Sequence, residues 1–308
     1  MGVFDKPGQS PGKHGAQVLA SLDERGHQPG MLAADRAFSS AKPGDFQLPA
    51  LDLGYRPVYD YKIDQLGVQD EYAGFLQIEG AWYCPSIPQP LIDATLDYRE
   101  HRIDEHLYRT RLEERWKYLA RPKGKPDEEG YYRVQCPAAN PWPLARCDLK
   151  PASTTRDNQG RLHITVRDTV AARPPNSCTQ QSVTIPPAVG AKFRQELLYG
   201  SPEWQTAYNS LRNTNEGMNG FIKDPAHEAL DDPGRRRIHG VAAQSVLVAF
   251  LVLAANVRKI RAFTFAAPAG APARRKRPRR RTTEPLTAWR PTMPKAVMSG
   301  DPDPPLLV

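Results

Sequence analysis

The chain has little cysteine, no long hydrophobic run and no apolar leader. Four cysteines in 308 residues are too few for a disulfide framework. The longest apolar run, from Val246 to Ala255, has ten residues, which is too short to span a bilayer and favours a buried core helix. The first residues, MGVFDKPGQ, lack a secretory apolar region, and Lys6 spoils a myristoylation pattern. We therefore expect a cytoplasmic protein without a membrane partner.

Positive charge is concentrated near the C-terminus. The chain has a net charge of +8, but residues 264–308 hold nine Lys and Arg against three acids, which leaves about +2 for the rest. The run ARRKRPRRR has almost no periodic apolar residues around it, which predicts a disordered tail. Such a tail would add sequence-independent affinity for nucleic acid. The alternative is a solubilising tail or out-of-place terminal sequence.

Helical and extended patterns alternate over the first sixty residues. They predict a helix over His14–Arg25, a strand over Met31–Ala34 that ends at Asp35, a helix over Asp45–Leu53 and a strand over Tyr55–Tyr61. The last strand contains Pro57, which argues for the edge of a sheet. This order of elements predicts an α/β sheet.

The alternation of helix and strand patterns stops at residue 62. The pattern of residues 62–199 predicts an inserted, strand-rich subdomain. We expect a hairpin over Phe75–Cys84, a long charged helix over Pro90–Ala120, and strands in GYYRVQC, RLHITVR and QSVTIP. After it come a helix from Ser201 and a helix over Arg237–Ala262. The centre of the latter, VLVAFLVLAA, is apolar all round, so we expect it to pack in the core.

The helix from Ser201 carries the most informative pattern. Ser201 and Pro202 predict its start, and Asp224-Pro225 predicts its end. Helical spacing places five polar residues on one stripe, with an apolar stripe beside it. The five are Tyr208, Arg212, Glu216, Asn219 and Lys223.

This polar stripe suits a metal ion held beside a phosphate. Glu216 would ligate a divalent ion, while Arg212 and Lys223 would bind phosphate oxygens. The alternative is a solvated helix face on which oppositely charged side chains four residues apart form ordinary ion pairs. Spacing alone favours the alternative, because such a pattern arises by chance in chains of this length.

Three cysteines of the insertion form a second candidate set. Cys136, Cys147 and Cys178 would suit a structural zinc ion, with Cys84 or His163 as a fourth ligand. The paired C-x2-C spacing of zinc knuckles is missing. The alternative is ordinary buried or unpaired thiols.

Several phrases of the sequence resemble a known family. The segment LAADRAFSS with Asp35, the helix with Tyr208, Arg212, Glu216 and Lys223, and the segment GVAAQSVLVAFLVLAANVRKI resemble insertion-sequence transposases of the DDE class. The phrases LPALDLGYRPVYDY, GAWYCPSIPQPLIDAT and QQSVTIPP resemble an actinobacterial group with a Tyr-Arg-Glu-Lys signature. The resemblance covers about residues 14–263.

The resemblance implies a ribonuclease-H-like fold that binds transposon ends and target DNA as a homo-oligomer. Asp35 would be the second acid and Glu216 the third, together holding Mg²⁺ or Mn²⁺ for phosphodiester cleavage and strand transfer. Tyr208, Arg212 and Lys223 would contact DNA phosphates. The chain has three residues between the Tyr and the Arg, where the family usually has two.

The sequence departs from the family before Asp35. The resemblance implies a first acid on an earlier strand, and neither Asp5 nor Asp60 suits that role. We therefore expect an α/β protein with a partial ribonuclease-H-like core, N-terminally truncated and inactive alone. Its expected parts are residues 1–61 and 200–263 of the core, the insertion 62–199 and the tail 264–308. The alternative is a non-catalytic remnant that binds DNA or inhibits a full-length transposase.

Overall fold

The computed structural model describes residues 9–34, 36–139, 145, 147, 155–156, 162–163, 174–235 and 237–265. These residues form a mixed α/β structure with small sheets. Residues 1–257 make one compact unit and residues 258–308 a second, of which the structure describes residues 258–265. The predicted basic tail therefore lies almost entirely outside the described residues.

The described residues among the first sixty form three α-helices, a short 3-10 helix and a pair of parallel strands. The elements are α1 (Pro11–Asp23), β1 (Met31–Leu32), α2 (Arg36–Ser39), α3 (Gln47–Asp52) and β2 (Arg56–Pro57). The four predicted elements are present in the predicted order, but α2 was not predicted and both strands are shorter than expected. Leu19, Phe46, Ala50 and Tyr59 pack together as the core of this segment. Gly12 permits the packing, because a Cβ there would lie 2.6 Å from Ala41 Cβ.

Pro57 fits the strand pair because its missing N–H is not needed there. β1 and β2 run parallel with Leu32 opposite Pro57. The backbone N–H of Arg56 donates to the carbonyl oxygen of Gly30, just before β1, at 3.0 Å. The N–H of Val58 donates to the carbonyl oxygen of Leu32 on β1 at 2.9 Å. On the other side of β2, the Pro57 carbonyl accepts from the Glu196 N–H at 2.8 Å. Among the described residues β2 is thus an edge strand, bordered by a loop.

The next segment is a three-stranded antiparallel meander. Its strands are β3 (Val68–Tyr72), β4 (Phe75–Ile78) and β5 (Ala81–Tyr83). The predicted hairpin at Glu79-Gly80 is confirmed. Both turn residues have positive φ, 47° and 87°, as a tight two-residue hairpin turn requires.

The predicted long helix over Pro90–Ala120 is wrong, because the chain breaks there into three helices. They are α4 (Gln89–Ile92), α5 (Ala94–Arg99) and α6 (Glu105–Trp116). His101 has φ 59°, and the Asp104 side chain caps α6 by accepting from the Leu107 N–H at 2.8 Å. The break lets α6 fold back, so that Arg115 reaches the buried Glu79 carboxylate at 2.5 Å. A continuous helix would have lost this ion pair.

The remaining strands lie between residues 121 and 185 of the predicted insertion. They are β6 (Arg121–Pro122), β7 (Tyr132–Gln135), β8 (Thr155–Arg156), β9 (Leu162–His163) and β10 (Val183–Ile185), with α7 (Asn176–Thr179) before the last. The order β10-β7-β6 forms an antiparallel sheet, and β8 pairs with β9. The strands predicted in GYYRVQC and QSVTIP are confirmed as β7 and β10. Most of RLHITVR lies outside the described residues.

Two long helices follow, and they differ in how far they are buried. α8 (Pro202–Ile222) begins and ends as predicted, with the Ser201 side chain accepting from the Trp204 N–H at 3.1 Å and Lys223 as C-cap. α9 (Val241–Phe265) was expected to pack in the core, and this is wrong: of its residues only Ala255 is buried. Large apolar side chains of α9, such as that of Phe250, are exposed. By length and composition alone α9 would suffice to cross a membrane.

Candidate functional site

Asp60 is the centre of a polar cluster just beyond the carboxyl end of β2. Its carboxylate is 12% exposed and forms ion pairs with Arg36 at 2.6 Å and Arg99 at 2.7 Å. The Tyr199 hydroxyl donates to the same carboxylate at 2.6 Å. Burial raises the pKa of Asp60, but hydrogen bonds from Tyr199 and Arg36 and the Arg99 charge lower it further, to below its ordinary value.

The parallel strands explain why this cluster forms. Arg36 opens α2 after β1, and Asp60 follows β2, so both leave the same edge of the strand pair. Arg99, the last residue of α5, also donates to the Tyr61 carbonyl at 3.0 Å. Parts of the chain that are distant in sequence therefore meet around one carboxylate.

Aromatic side chains connect this cluster to α8. The Tyr199 and Trp204 rings lie 4.4 Å apart, and Trp204 stacks on Tyr208 at 4.9 Å with an interplanar angle of 7°. Burial and the Asp60 charge raise the pKa of Tyr208, while Arg212 opposes them by a hydrogen bond and its charge. Tyr208 thus lies between the Asp60 cluster and the exposed stripe of α8.

The predicted stripe on α8 is exposed beyond Tyr208. Arg212 Nε donates to Glu216 Oε1 at 2.7 Å, and the two side chains are 53% and 56% exposed. Asn219 and Lys223 are also exposed. The structure therefore contains the ordinary i,i+4 ion pair, between Arg212 and Glu216, that was the alternative to a metal and phosphate site. Its exposure leaves the stripe accessible to a large anionic ligand.

Asp35 lies outside the described residues, so its distance to Glu216 is not part of the structure. Within the part of the chain that is described, no group of three or more His, Cys, Asp or Glu residues could hold a metal ion. The assignment of Mg²⁺ or Mn²⁺ to Asp35 and Glu216 stays a prediction.

The sequence reasoning missed the role of Asp60. It considered Asp60 only as a first acid and did not connect it with Arg36, Arg99 or Tyr199. A partial signal was present in the sequence, because Asp35 ends the first predicted strand and Asp60 lies near the end of the second. Polar side chains at the carboxyl ends of neighbouring parallel strands lie close together.

The cysteines are grouped differently from the predicted zinc set. All four are free thiols. Cys136 and Cys147 lie in one hydrophobic cluster with Cys84, and that cluster does not contain Cys178. A hydrogen bond with Cys136 and burial raise the pKa of the Cys84 thiol. The His163 side chain lies outside the described residues, and zinc binding stays a prediction.

Comparisons of the chain with models of protein families, with curated proteins and with solved structures identify no match. The function therefore has to be argued from the residues and from their arrangement.

Proposed function

We propose that this protein is a transposase-like DNA-binding protein, and that DNA phosphates bind along the exposed stripe of α8. The observation that carries the proposal is the meeting of α8 with the edge where β1 and β2 end. Tyr208 of α8 packs against the hydrophobic cluster that contains Val58, and that cluster also contains Tyr199, whose hydroxyl donates to the Asp60 carboxylate. The resemblance to DDE transposases assigns catalytic acids to the same two places, after β1 and on α8.

The side chains of α8 suit a polyanionic backbone. Arg212 offers a planar fork that fits phosphate oxygens, and Lys223 offers a point charge at the end of the helix. Between and beside them are exposed amides, including Asn213 and Asn219, which hydrogen-bond to phosphates in many DNA complexes. Binding a phosphate would free Glu216 from its pairing with Arg212.

The metal-dependent step is proposed for Asp35 and Glu216 within a ribonuclease-H-like core. Glu216 fits this role in one respect, since its carboxylate is exposed and offers the hard oxygen ligands that Mg²⁺ and Mn²⁺ prefer. A divalent ion bound there would activate the attacking oxygen and stabilise the leaving one. The protein's own residues would hold the phosphodiester in line through Arg212 and Lys223.

A second candidate function is DNA binding without catalysis, as a regulator or as an inhibitor of a full-length transposase. One observation favours it. Asp60 and Glu216 are the two acids of the proposed site whose side chains the structure describes, and each forms an ion pair with arginine. Neutralised carboxylates attract a cation less strongly and leave a surface suited to anions.

DNA binding tests the proposal that both candidates share. Fluorescence anisotropy with a random-sequence duplex, titrated at several salt concentrations, compares wild type with Arg212→Gln. We expect Arg212→Gln to weaken binding about 5–10-fold and to reduce the salt slope by about 1. The matched control is Arg109→Gln, which removes from α6 another exposed arginine that pairs with a glutamate four residues away. Equal affinity for all three proteins would contradict the proposed DNA surface.

Plasmid nicking in Mg²⁺ or Mn²⁺ separates the two candidates. Nicking that is lost in Asp35→Asn and in Glu216→Gln supports metal-dependent cleavage. DNA binding without nicking supports the non-catalytic candidate. Nicking that survives both substitutions would place the chemistry elsewhere.

A further inference from the structure

The sheet formed by β10, β7 and β6 has one apolar face and one polar face. Val134, Val183 and Ile185 belong to a buried core cluster. Arg133 and Thr184, which alternate with them along the strands, lie opposite each other and are exposed. Because successive side chains of a strand point to opposite faces, the sheet covers its core with one face and presents the other to solvent.

Three cations share this second face. Arg121 lies opposite Gln135, and the Lys123 N–H donates to the Arg133 carbonyl at 2.8 Å, which places Lys123 opposite Arg133. Residues directly opposite each other in an antiparallel pair have their side chains on the same face. Lys123 Nζ also donates to Gln181 Oε1 at 3.4 Å. We call the surface made by Arg121, Lys123 and Arg133 the basic sheet face.

The charges of the basic sheet face have no acidic partners among the described residues. None of Arg121, Lys123 and Arg133 forms an ion pair with a described carboxylate. The strands β6, β7 and β10 contain no Asp or Glu, and the nearest acids in sequence, residues 127–129, lie in the turn between β6 and β7. Three cations on a surface of three strands, roughly 10 Å across, attract a polyanion.

An exposed aromatic ring lies next to these cations. Tyr131 is 36% exposed and comes two residues before Arg133, so it lies on the same side of the extended chain. Its backbone N–H donates to the Asp127 carboxylate at 2.8 Å, which fixes its position at the end of the turn.

Cations beside an exposed ring suit a single strand better than a duplex. Single-strand binding proteins combine positive charge that follows the phosphates with aromatic side chains on which bases stack. The bases of a duplex are stacked on each other and present only their edges, whereas an unpaired base offers its face to a ring.

We propose that the basic sheet face, together with Tyr131, binds single-stranded nucleic acid. Arg121, Lys123 and Arg133 contact its phosphates, and a base stacks on the Tyr131 ring. Single-stranded DNA and RNA share this chemistry. The inference does not rest on the proposed duplex contacts of α8. It adds a second surface, on the predicted insertion, for a different form of nucleic acid.

Fluorescence anisotropy of the full chain with labelled oligo-dT, oligo-U and a random-sequence duplex tests this surface. We expect Tyr131→Ala to weaken single-strand binding at least about fivefold, because one stacked base is lost, and to leave duplex binding unchanged. Arg133→Gln should weaken single-strand binding and reduce its salt slope by about 0.7. The strand that binds more tightly, oligo-dT or oligo-U, identifies whether DNA or RNA is preferred.

Tyr131→Phe is the matched control for the ring, because it keeps the stacking surface and should bind like wild type. Arg109→Gln removes an exposed arginine from α6, outside the sheet, and should also keep wild-type affinity for single strands. Tyr131 and Arg133 are exposed, so the circular dichroism spectra of their variants should match that of wild type.

Three results would overturn the proposal. The first is a wild-type chain that does not bind single strands, or binds them equally well after Tyr131→Ala and Arg133→Gln. The second is an equal loss of single-strand and duplex affinity in Tyr131→Ala. The third is single-strand binding that is lost only in Arg212→Gln, because the strand would then lie on α8. Duplex binding by Arg212→Gln tests α8 separately, so the two proposals can fail independently.

Discussion

Asp60 shows how one carboxylate connects four segments of the chain. It binds Arg36 after β1, Arg99 at the end of α5 and the Tyr199 hydroxyl, and its own backbone follows β2. The carboxylate is nearly buried, so the pairs are screened less than surface pairs are. If it is removed, the Arg99 side chain, which is only 22% exposed, loses this carboxylate in a poorly hydrated place.

We expect Asp60→Asn to lower the free energy of unfolding by about 2–4 kcal/mol at pH 7. The pKa of Asp60 is below its unfolded value of about 3.9, so this stabilisation is present above that value. It is lost as the pH falls through the folded-state pKa. The difference between Asp60→Asn and wild type should therefore shrink in strong acid.

Urea denaturation at pH 7 and at stepwise lower pH measures this effect. The matched control is Asp64→Asn, at an exposed position in the following 3-10 turn, which should change stability by less than about 0.5 kcal/mol. If the difference in unfolding free energy between wild type and Asp60→Asn stays constant down to the lowest pH, the Asp60 charge does not stabilise the fold.

At the scale of elements, α8 combines a fixed end with an accessible stripe. Its first turn is held by the Ser201 cap and by Trp204, which packs between Tyr199 and Tyr208. Past that turn the polar stripe with Arg212 and Glu216 faces solvent. The buried first turn therefore determines the position of the exposed stripe relative to the end of β2.

We expect Ser201→Ala to destabilise the chain by about 1 kcal/mol. The Ser201 side chain satisfies the Trp204 N–H at the start of the helix, and alanine leaves that buried donor without a partner. Thermal denaturation followed by circular dichroism measures the change. The control Ser210→Ala lies at an exposed interior position of the same helix, where alanine should be neutral or slightly stabilising. Equal effects of the two substitutions would show that the cap is unimportant.

At the scale of the whole molecule, positive charge is distributed unevenly along the chain. Residues 264–308 carry most of the net charge, while the rest of the chain is close to neutral. If the protein binds DNA as proposed, we expect non-specific attraction to come mainly from residues 264–308 and positioning from α8. The first should depend strongly on salt, and the second should depend on the identity of a few side chains.

We expect replacement of Arg279, Arg280 and Arg281 by Gln to reduce the salt slope of DNA binding by up to about 2.7, which is the effect of three lost phosphate contacts. The loss of DNA affinity caused by Arg212→Gln should be the same in the triple variant as in the wild-type chain. Anisotropy titrations of the triple variant, with and without Arg212→Gln, measure both effects. An unchanged slope would favour the solubilising role of this segment.

The order of elements and the ends of α8 could be predicted because local signals determine them. Ser201, Pro202 and the Asp224-Pro225 pair act on neighbouring backbone, and so does the Glu79-Gly80 turn. The break between α5 and α6 was missed although Asp104 is a local N-cap signal for α6; the ion pair of Arg115 with Glu79 could not be predicted, because it joins segments that are distant in sequence. The network around Asp60 was missed because Arg36, Arg99 and Tyr199 are likewise distant from it in sequence.

The sequence by itself determined which residues line the α8 stripe and where its helix begins and ends, because helical periodicity and capping depend on neighbours in the chain. It also determined the uneven distribution of charge. Only the tertiary structure decided that Asp60 joins Arg36 and Arg99, that Cys84 lies with Cys136, and that α9 keeps an exposed apolar stripe. These features depend on which distant segments come into contact, and a pattern of polar and apolar residues does not specify that.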